Sequence, residues 1–302
     1  AAFIFWCWNF TSHNLYMEQL LDSILNDYNN NHRRVHILIT DKYNSNFIWK
    51  YGSYQEVPYD HEIIMAGGSA QLNQDLGKFF HPDRRNRYRS QNIHYQRGYI
   101  LYGPPGSGKT TSYLYQAYKY RKRVYSIALA SSGMDDTAMK SLCSSLPHSG
   151  CFLVFSELDT MVEYWDQDQD GKFKGVTIGG FLDLLDGDIK LPEGTIIIIT
   201  TNNKDLLKSI FNDHNGITRL RPGRIDEDIL FDYINLEMFV GRIKIAYPQI
   251  EESQINQLWY QIERYSLTNS QLSKYLLDCD SLADLTNNLN LLIEQGYPIS
   301  DT

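Results

Sequence analysis

The chain has 302 residues, with 28 Lys+Arg against 36 Asp+Glu, a formal net charge of −8 and 42% hydrophobic residues. That composition supports a buried core and excludes wholesale disorder, and the length accommodates one large domain or two ordinary ones. The acidic balance argues against a surface that coats DNA or RNA, so no nucleic-acid partner is expected.

Residues 1–10 are apolar and aromatic and read as a strand. Leu15, Leu20, Leu21, Ile24 and Leu25 recur at helical spacing, which predicts an amphipathic helix over 14–28. Asn29 to Arg34 is a polar turn, and Val35 to Thr40 and Asn46 to Tyr51 read as strands. Residues 52–70, with Pro58 and Gly67-Gly68, read as a loop, and 71–81 as a helix ending at Pro82. The basic run Arg84 to Arg89 reads as a solvated linker or a subunit contact rather than a site for phosphate-rich partners.

After Gly98 strand-like runs alternate with helices: 98–102 then 109–121, 123–129 then 134–146, 150–156 then a long loop and 177–186, 194–200 then 203–212. This is the pattern of βαβ units, so the fold class is α/β with a parallel sheet covered by helices. Ile196-Ile197-Ile198-Ile199 is the run expected of a buried central strand. From about 235 the pattern is only helical: 235–246, 252–265, 269–279 and 281–294. Three parts result: a mixed α+β segment over 1–95, an α/β core over 96–234 and a small helical lid over 235–302.

Gly103-Pro104-Pro105-Gly106-Ser107-Gly108-Lys109-Thr110 fits G-x-x-x-x-G-K-[ST] between a predicted strand and a predicted helix. Glycines there let backbone N–H groups, from Gly103 through Thr111, turn around phosphate oxygens, and the helix N-terminus favours negative charge. Lys109 is expected at the β- and γ-phosphates and the Thr110 hydroxyl at Mg²⁺.

Such a nucleoside triphosphatase needs a second strand ending in carboxylates, and Cys151 to Phe155 followed by Ser156-Glu157-Leu158-Asp159 is the candidate. Glu157 takes the catalytic position. Ser156 takes the place of the first acid and can hold a Mg²⁺-bound water without bringing charge. Asp159 has either a functional or a purely structural role. Asn202, in Thr200-Thr201-Asn202-Asn203, stands at the end of the isoleucine strand, where an amide can hydrogen-bond attacking water or γ-phosphate. Arg221 and Arg224 flank Pro222-Gly223 and can neutralise charge on a transferred phosphoryl group, from a neighbouring subunit if they act in trans.

Taken in order, these four motifs resemble those of the AAA ATPases. Tyr95 to Pro105, Phe181 to Gly187 and Thr200-Thr201-Asn202 are more closely similar to the Bcs-type subfamily, the mitochondrial inner-membrane translocases of the folded Rieske iron–sulfur protein for complex III. The resemblance is strong over 95–232 and looser elsewhere, where Phe10 to Leu25 and the strand at Val35 resemble the end of that subfamily's middle domain. It implies ATP and Mg²⁺ at each interface of a homo-oligomeric ring of six or seven subunits, with Lys109, Thr110, Glu157, Asn202, Arg221 and Arg224 in the roles given above. It also implies a protein client and an inner-membrane location, with a cytoplasmic or virus-encoded protein as the alternative. The loop Ala130-Ser131-Ser132-Gly133-Met134 lacks the aromatic that unfoldases of the superfamily use to grip an extended chain, which fits a folded client or no translocation.

Other features carry less. Cys7, Cys143, Cys151 and Cys279 are too scattered for a disulfide framework, and there is no CxxC pair or Cys/His cluster for zinc. Asp166 to Gly171 imitates half a calcium loop, but its twelfth position is Thr177 rather than Glu. No run of about 18 apolar residues is present. The chain opens on Ala1 inside a strand-like run rather than on Met, so it reads as cut from something longer, and a membrane is a partner only if an anchor precedes residue 1. Two alternatives to the ATP-driven machine stay open: a nucleotide-gated scaffold with little turnover, motivated by Ser156, and the disfavoured small-molecule kinase.

Overall fold

The computed structural model describes residues 34–43, 46–56, 67–167, 175–186, 190–205 and 225–298. The strand expected at 1–10, the helix at 14–28, most of the acidic loop after Asp166 and most of the helix at 203–212 lie outside the described residues.

Seven strands are β1 (Arg34–Tyr43), β2 (Asn46–Glu56), β3 (Gln96–Tyr102), β4 (Val124–Ser126), β5 (Phe152–Phe155), β6 (Thr195–Thr201) and β7 (Glu227–Leu230). They form one sheet in the order β2-β1-β4-β5-β6-β3-β7. β1 and β2 pair antiparallel as a hairpin, and every other pairing is parallel. β1 continues the parallel sheet by lying beside β4, so the sheet crosses the boundary drawn at residue 95.

Period-2 alternation divides the sheet's side chains between two cores. Ile197 and Ile199 of β6 join Leu153 and Phe155 on one face. Ile196 and Ile198 join Val154, Tyr99 and Leu101 on the other. The first face is covered by α4 (Asp136–Ser144), α5 (Leu158–Gln167) and α6 (Ile178–Asp186), and the second by α1 (Gly68–Phe79) and α3 (Lys109–Lys119). All four isoleucines are fully buried, as parallel strands covered on both faces require.

Helix α5 stands where a long loop was expected. Leu158, Met161 and Trp165 are buried at helical spacing, and the Trp165 indole N–H donates to Val176 O at 2.6 Å, holding the helix against the core. The basic run is also a helix, α2 (Arg84–Ser90), rather than a linker. Arg85 and Arg89, four residues apart on one face, both pair with Glu193 ahead of β6.

Where a small helical lid was expected over 235–302, the described residues form α7 (Leu236–Ala246), α8 (Glu252–Ile262), α9 (Asn269–Leu277), α10 (Leu282–Asn287) and α11 (Leu289–Ile293), around their own apolar cluster. The single helix expected over 281–294 is two. The purely helical reading also missed a short antiparallel pair, β8 (Tyr265–Ser266) with β9 (Tyr297–Pro298).

At the end of β3 remote from the phosphate loop, Arg97 is four-fifths buried. Its Nε donates to Asp75 Oδ2 at 2.9 Å, and Tyr99 Oη donates to the same carboxylate at 2.7 Å. Asp226 N donates to Gly98 O, its carboxylate accepts from Gly98 N, and the same carboxylate lies 3.5 Å from Arg97. This group joins α1, β3 and the start of β7. Asp75→Ala removes the nearest acid from a mostly buried guanidinium, leaving Asp226 and Glu227 at 3.5 Å, and is expected to cost about 2 kcal/mol, read as a lower urea midpoint; a shift below about 0.5 kcal/mol would mean that solvent already screens the pair.

Candidate functional site

In a parallel sheet the C-terminal strand ends lie on one edge, and ligands bind where strand order reverses. Here β3 is flanked by β6 and β7, while the next strand in sequence, β4, lies beyond β6 and β5. The ends of β3, β6 and β5 are therefore neighbours. With strands about 4.8 Å apart, this brings together the turn after Tyr102, Asn202 after Thr201, and Ser156-Glu157 after Phe155.

The chain turns from Tyr102 through Gly108 into α3. Gly103 (φ 138°) and Gly106 (φ 78°) take backbone conformations that L side chains avoid. A Cβ on Gly103 would meet Phe231 O at 2.0 Å, and one on Gly106 would meet Ser270 Oγ at 2.1 Å. The loop is thus wedged between the chain leaving β7 and the N-terminus of α9. Phe231 N donates to Tyr102 O at 2.7 Å, and Ser270 N donates to Gly106 O at 3.0 Å.

Lys109 begins α3. Its Nζ donates to Gly103 O (2.6 Å), Pro104 O (2.9 Å) and Asn202 Oδ1 (3.0 Å). Burial lowers its pKa, and the carboxylates of Asp159 and Glu157 oppose that shift. Glu157 takes a left-handed backbone (φ 52°) although it is not glycine. Strain of this kind, about 1–3 kcal/mol, clusters at functional sites. It is held by Glu157 N donating to Thr200 Oγ1 at 3.0 Å and by Thr160 closing a turn on Glu157 O. Asp159 has one carboxylate oxygen buried without a hydrogen-bond partner.

A cleft of about 330 Å³ opens beside the loop. Its walls are Gly67 to Ser69 at the start of α1, Ser107 and Gly108, and the stretch from Leu230 to Met238. The buried hydroxyls of Ser69 and Ser112, 2.6 Å apart, tie that wall to α3. The residues fit a nucleotide with Mg²⁺. The Ser107 hydroxyl is buried without a partner, the loop is too close-packed for side chains at its glycines, and Thr110, Ser156 and Asp159 offer oxygen donors. Among the described residues no three His, Cys, Asp or Glu gather as a metal site. A Mg²⁺ ion here would take most of its ligands from phosphate and water, as that ion commonly does.

Gly103 to Thr111, Ser156, Glu157 and Asn202 are therefore brought to one edge of the sheet, whereas Arg221 and Arg224 lie outside the described residues. The sequence reading missed the α1 wall, for which the Gly67-Gly68 doublet was the available signal, and the docking of α9 on the loop. Gly103→Ala is expected to lower the melting temperature more than Gly106→Ala, because the first collides with backbone and the second with a serine side chain that can rotate. With about 2–4 °C per kcal/mol, a differential scan resolves the two, and equal melting would contradict this packing.

Residues 99–233 match the ATPase family associated with various cellular activities (AAA). Among curated relatives, the probable mitochondrial chaperone BCS1-B of Dictyostelium discoideum is 25% identical over 79% of this chain and 56% of its own length. The mitochondrial chaperone BCS1 of Homo sapiens is 29% identical over 56% of this chain and 39% of its own. The probable mitochondrial chaperone bcs1 of Schizosaccharomyces pombe is 34% identical over 46% and 29%. The chain spans about half the length, or less, of these relatives. The comparisons show an AAA match over just under half of the chain and a similarity to BCS1-type chaperones at 25–34% identity, the likeness of a BCS1-type AAA ATPase.

Proposed function

We propose that this chain binds ATP with Mg²⁺ in the cleft beside Gly103 to Thr111 and hydrolyses it to drive a homo-oligomeric machine acting on a protein client. The observation that carries this reading is the meeting of Lys109 with Asn202 at 3.0 Å, across the neighbouring ends of β3 and β6. Bound Mg²⁺ would neutralise charge on the phosphates. Lys109 would trade loop carbonyls for β- and γ-phosphate oxygens, and Thr110 would turn its hydroxyl to the ion. Glu157 would accept a proton from attacking water, and Asn202 would orient that water. The α1 wall and the stretch from Leu230 to Met238 would enclose the nucleoside.

Arg221 and Arg224 would complete a neighbouring subunit's site. The chain that follows them reaches the sheet at Asp226, which pairs with Gly98 near the far end of β3. A division into a segment to 95, a core to 234 and a lid to 302 goes with this reading, although the hairpin of the first part extends the core sheet. The relatives' name, mitochondrial chaperone, supports a protein client and a mitochondrial location. Among the described residues no helix is long and apolar enough to cross a membrane. In the loop at 130–134 only Met134 is large, and it is buried in the core. The small residues left outside suit a folded client better than an extended chain.

Lys109→Ala is expected to weaken nucleotide binding at least about tenfold. Glu157→Gln is expected to keep binding and lose about 10²–10⁴-fold in phosphate release. Undiminished turnover in both variants would overturn the site. Ser156 favours a second reading, a nucleotide-gated scaffold with little turnover, because the first position beyond β5 carries no charge. Tight binding with negligible hydrolysis, raised by Ser156→Asp, would support it, and brisk hydrolysis unchanged by Ser156→Asp would end it.

A further inference from the structure

We propose that the paired hydroxyls of Ser69 and Ser112 read the base of the bound nucleotide, donating one hydrogen bond to an acceptor atom on its edge. The proposal rests on the nucleotide reading above and adds to it two residues that the motifs do not include.

Ser69 stands in the first turn of α1 and Ser112 in the first turn of α3. Both are buried, both line the cleft, and their hydroxyl oxygens lie 2.6 Å apart. A serine hydroxyl has one O–H and two acceptor lone pairs. Either hydroxyl can donate to the other, and in both cases the pair keeps one O–H unspent. Among the described residues that proton has no acceptor. Gln116, one turn further along α3, is buried with both amide atoms unpartnered, so it does not take it. A buried donor without an acceptor is costly, and an acceptor brought into the cleft relieves that cost.

The rest of the lining favours the base as that acceptor. Ser112 N donates to Gly108 O at 3.0 Å, so Ser112 stands one turn, about 6 Å, along α3 from the loop proposed to hold the phosphates. Leu230, Phe231 and Met238 line the same cleft, an apolar surface that suits a flat aromatic ring better than a hydroxylated sugar. The start of α1 adds further donors. No side chain caps that helix, so the N–H groups of its first turn also lack acceptors within it. Gly68 keeps this helix start close to the end of β7, because a Cβ there would meet Leu230 O at 2.3 Å. Donors beside apolar surface match a heterocycle whose edge carries ring nitrogens or carbonyl oxygens.

The test is calorimetric titration, at fixed Mg²⁺, with ATP, with 2′,3′-dideoxyATP, which lacks both ribose hydroxyls, and with inorganic tripolyphosphate, which lacks the nucleoside. The double variant Ser69→Ala/Ser112→Ala is expected to bind ATP and 2′,3′-dideoxyATP about fivefold more weakly, the size of one hydrogen bond, and tripolyphosphate within about twofold. The larger of the two single-variant losses should equal that of the double, because one hydroxyl makes the contact and the other aims it. Unchanged ATP affinity, an equal loss for tripolyphosphate, a loss that vanishes with 2′,3′-dideoxyATP, or single losses that sum in the double variant would each overturn the proposal. Should the double variant fail to fold, the larger single loss is read against the same three ligands. If the unaltered protein binds neither ATP nor tripolyphosphate at millimolar concentration, the nucleotide reading fails and the proposal with it. If it binds both and the variants bind both alike, only the role of the serine pair falls.

Discussion

The Lys109 ammonium is held by two carbonyls of its own loop and by the side chain of Asn202 from another strand. That arrangement requires β3 and β6 to be neighbours in a register that ends them together, Tyr102 beside Thr201. It requires the middle of β6, Ile196 to Ile199, to be apolar, because both of its faces are covered. It also requires a loop with no Cβ at Gly103, since Phe231 O already fills that space. Burial disfavours the charge on Lys109, and two carboxylates beyond the next strand end favour it. The remainder of the core can be understood as what keeps one partly desolvated cation in place among acceptors that a triphosphate can replace.

Much of this was legible in the sequence where the signal is local. Glycine spacing between a strand and a helix located the loop, because the turn permits few other residues. The four isoleucines located the central strand, because a strand covered on both faces has no polar side. The readings that failed are those that depend on distant partners. The strands at 34–43 and 46–56 were visible, but their place beside β4 was not, since pairing across 70 or more residues leaves no periodicity. β7 has four residues with Ile229 alone buried, too short for a pattern. Helix α5 carried its apolar spacing at Leu158, Met161 and Trp165, but intervening acids made the stretch look like a loop. The cleft wall at Gly67 to Ser69 acts through backbone placement, for which residue type gives little notice.

The lid is joined to the site rather than merely next to it. Thr268 caps α9 and forms a capping box with Gln271, which fixes the helix start. The next residues then meet the loop: Ser270 N donates to Gly106 O, and Asn269 is buried with one amide oxygen unpartnered. Asn235, which lines the cleft, caps α7 directly after the passage that leaves β7. Two helix caps therefore fix the lid relative to the loop, and a group bound between them would touch core and lid together. Rotation of the lid about this seam would change the cleft without disturbing the sheet.

Ser156 is the point at which this chain departs from the chemistry its motifs lead one to expect, and the surroundings determine what the departure costs. A carboxylate there would have stood close to Asp159 and Glu157, and like charges in a partly desolvated site raise one another's pKa. A serine removes that repulsion, leaving Glu157 and Asp159 to share the attraction of Lys109. What is lost is a fixed charge for the ion, and no hydroxyl restores it. Phosphoryl transfer in general depends on both positioning and charge, and beside a neutral Ser156 the charged groups near this strand end are Asp159, Glu157 and Lys109.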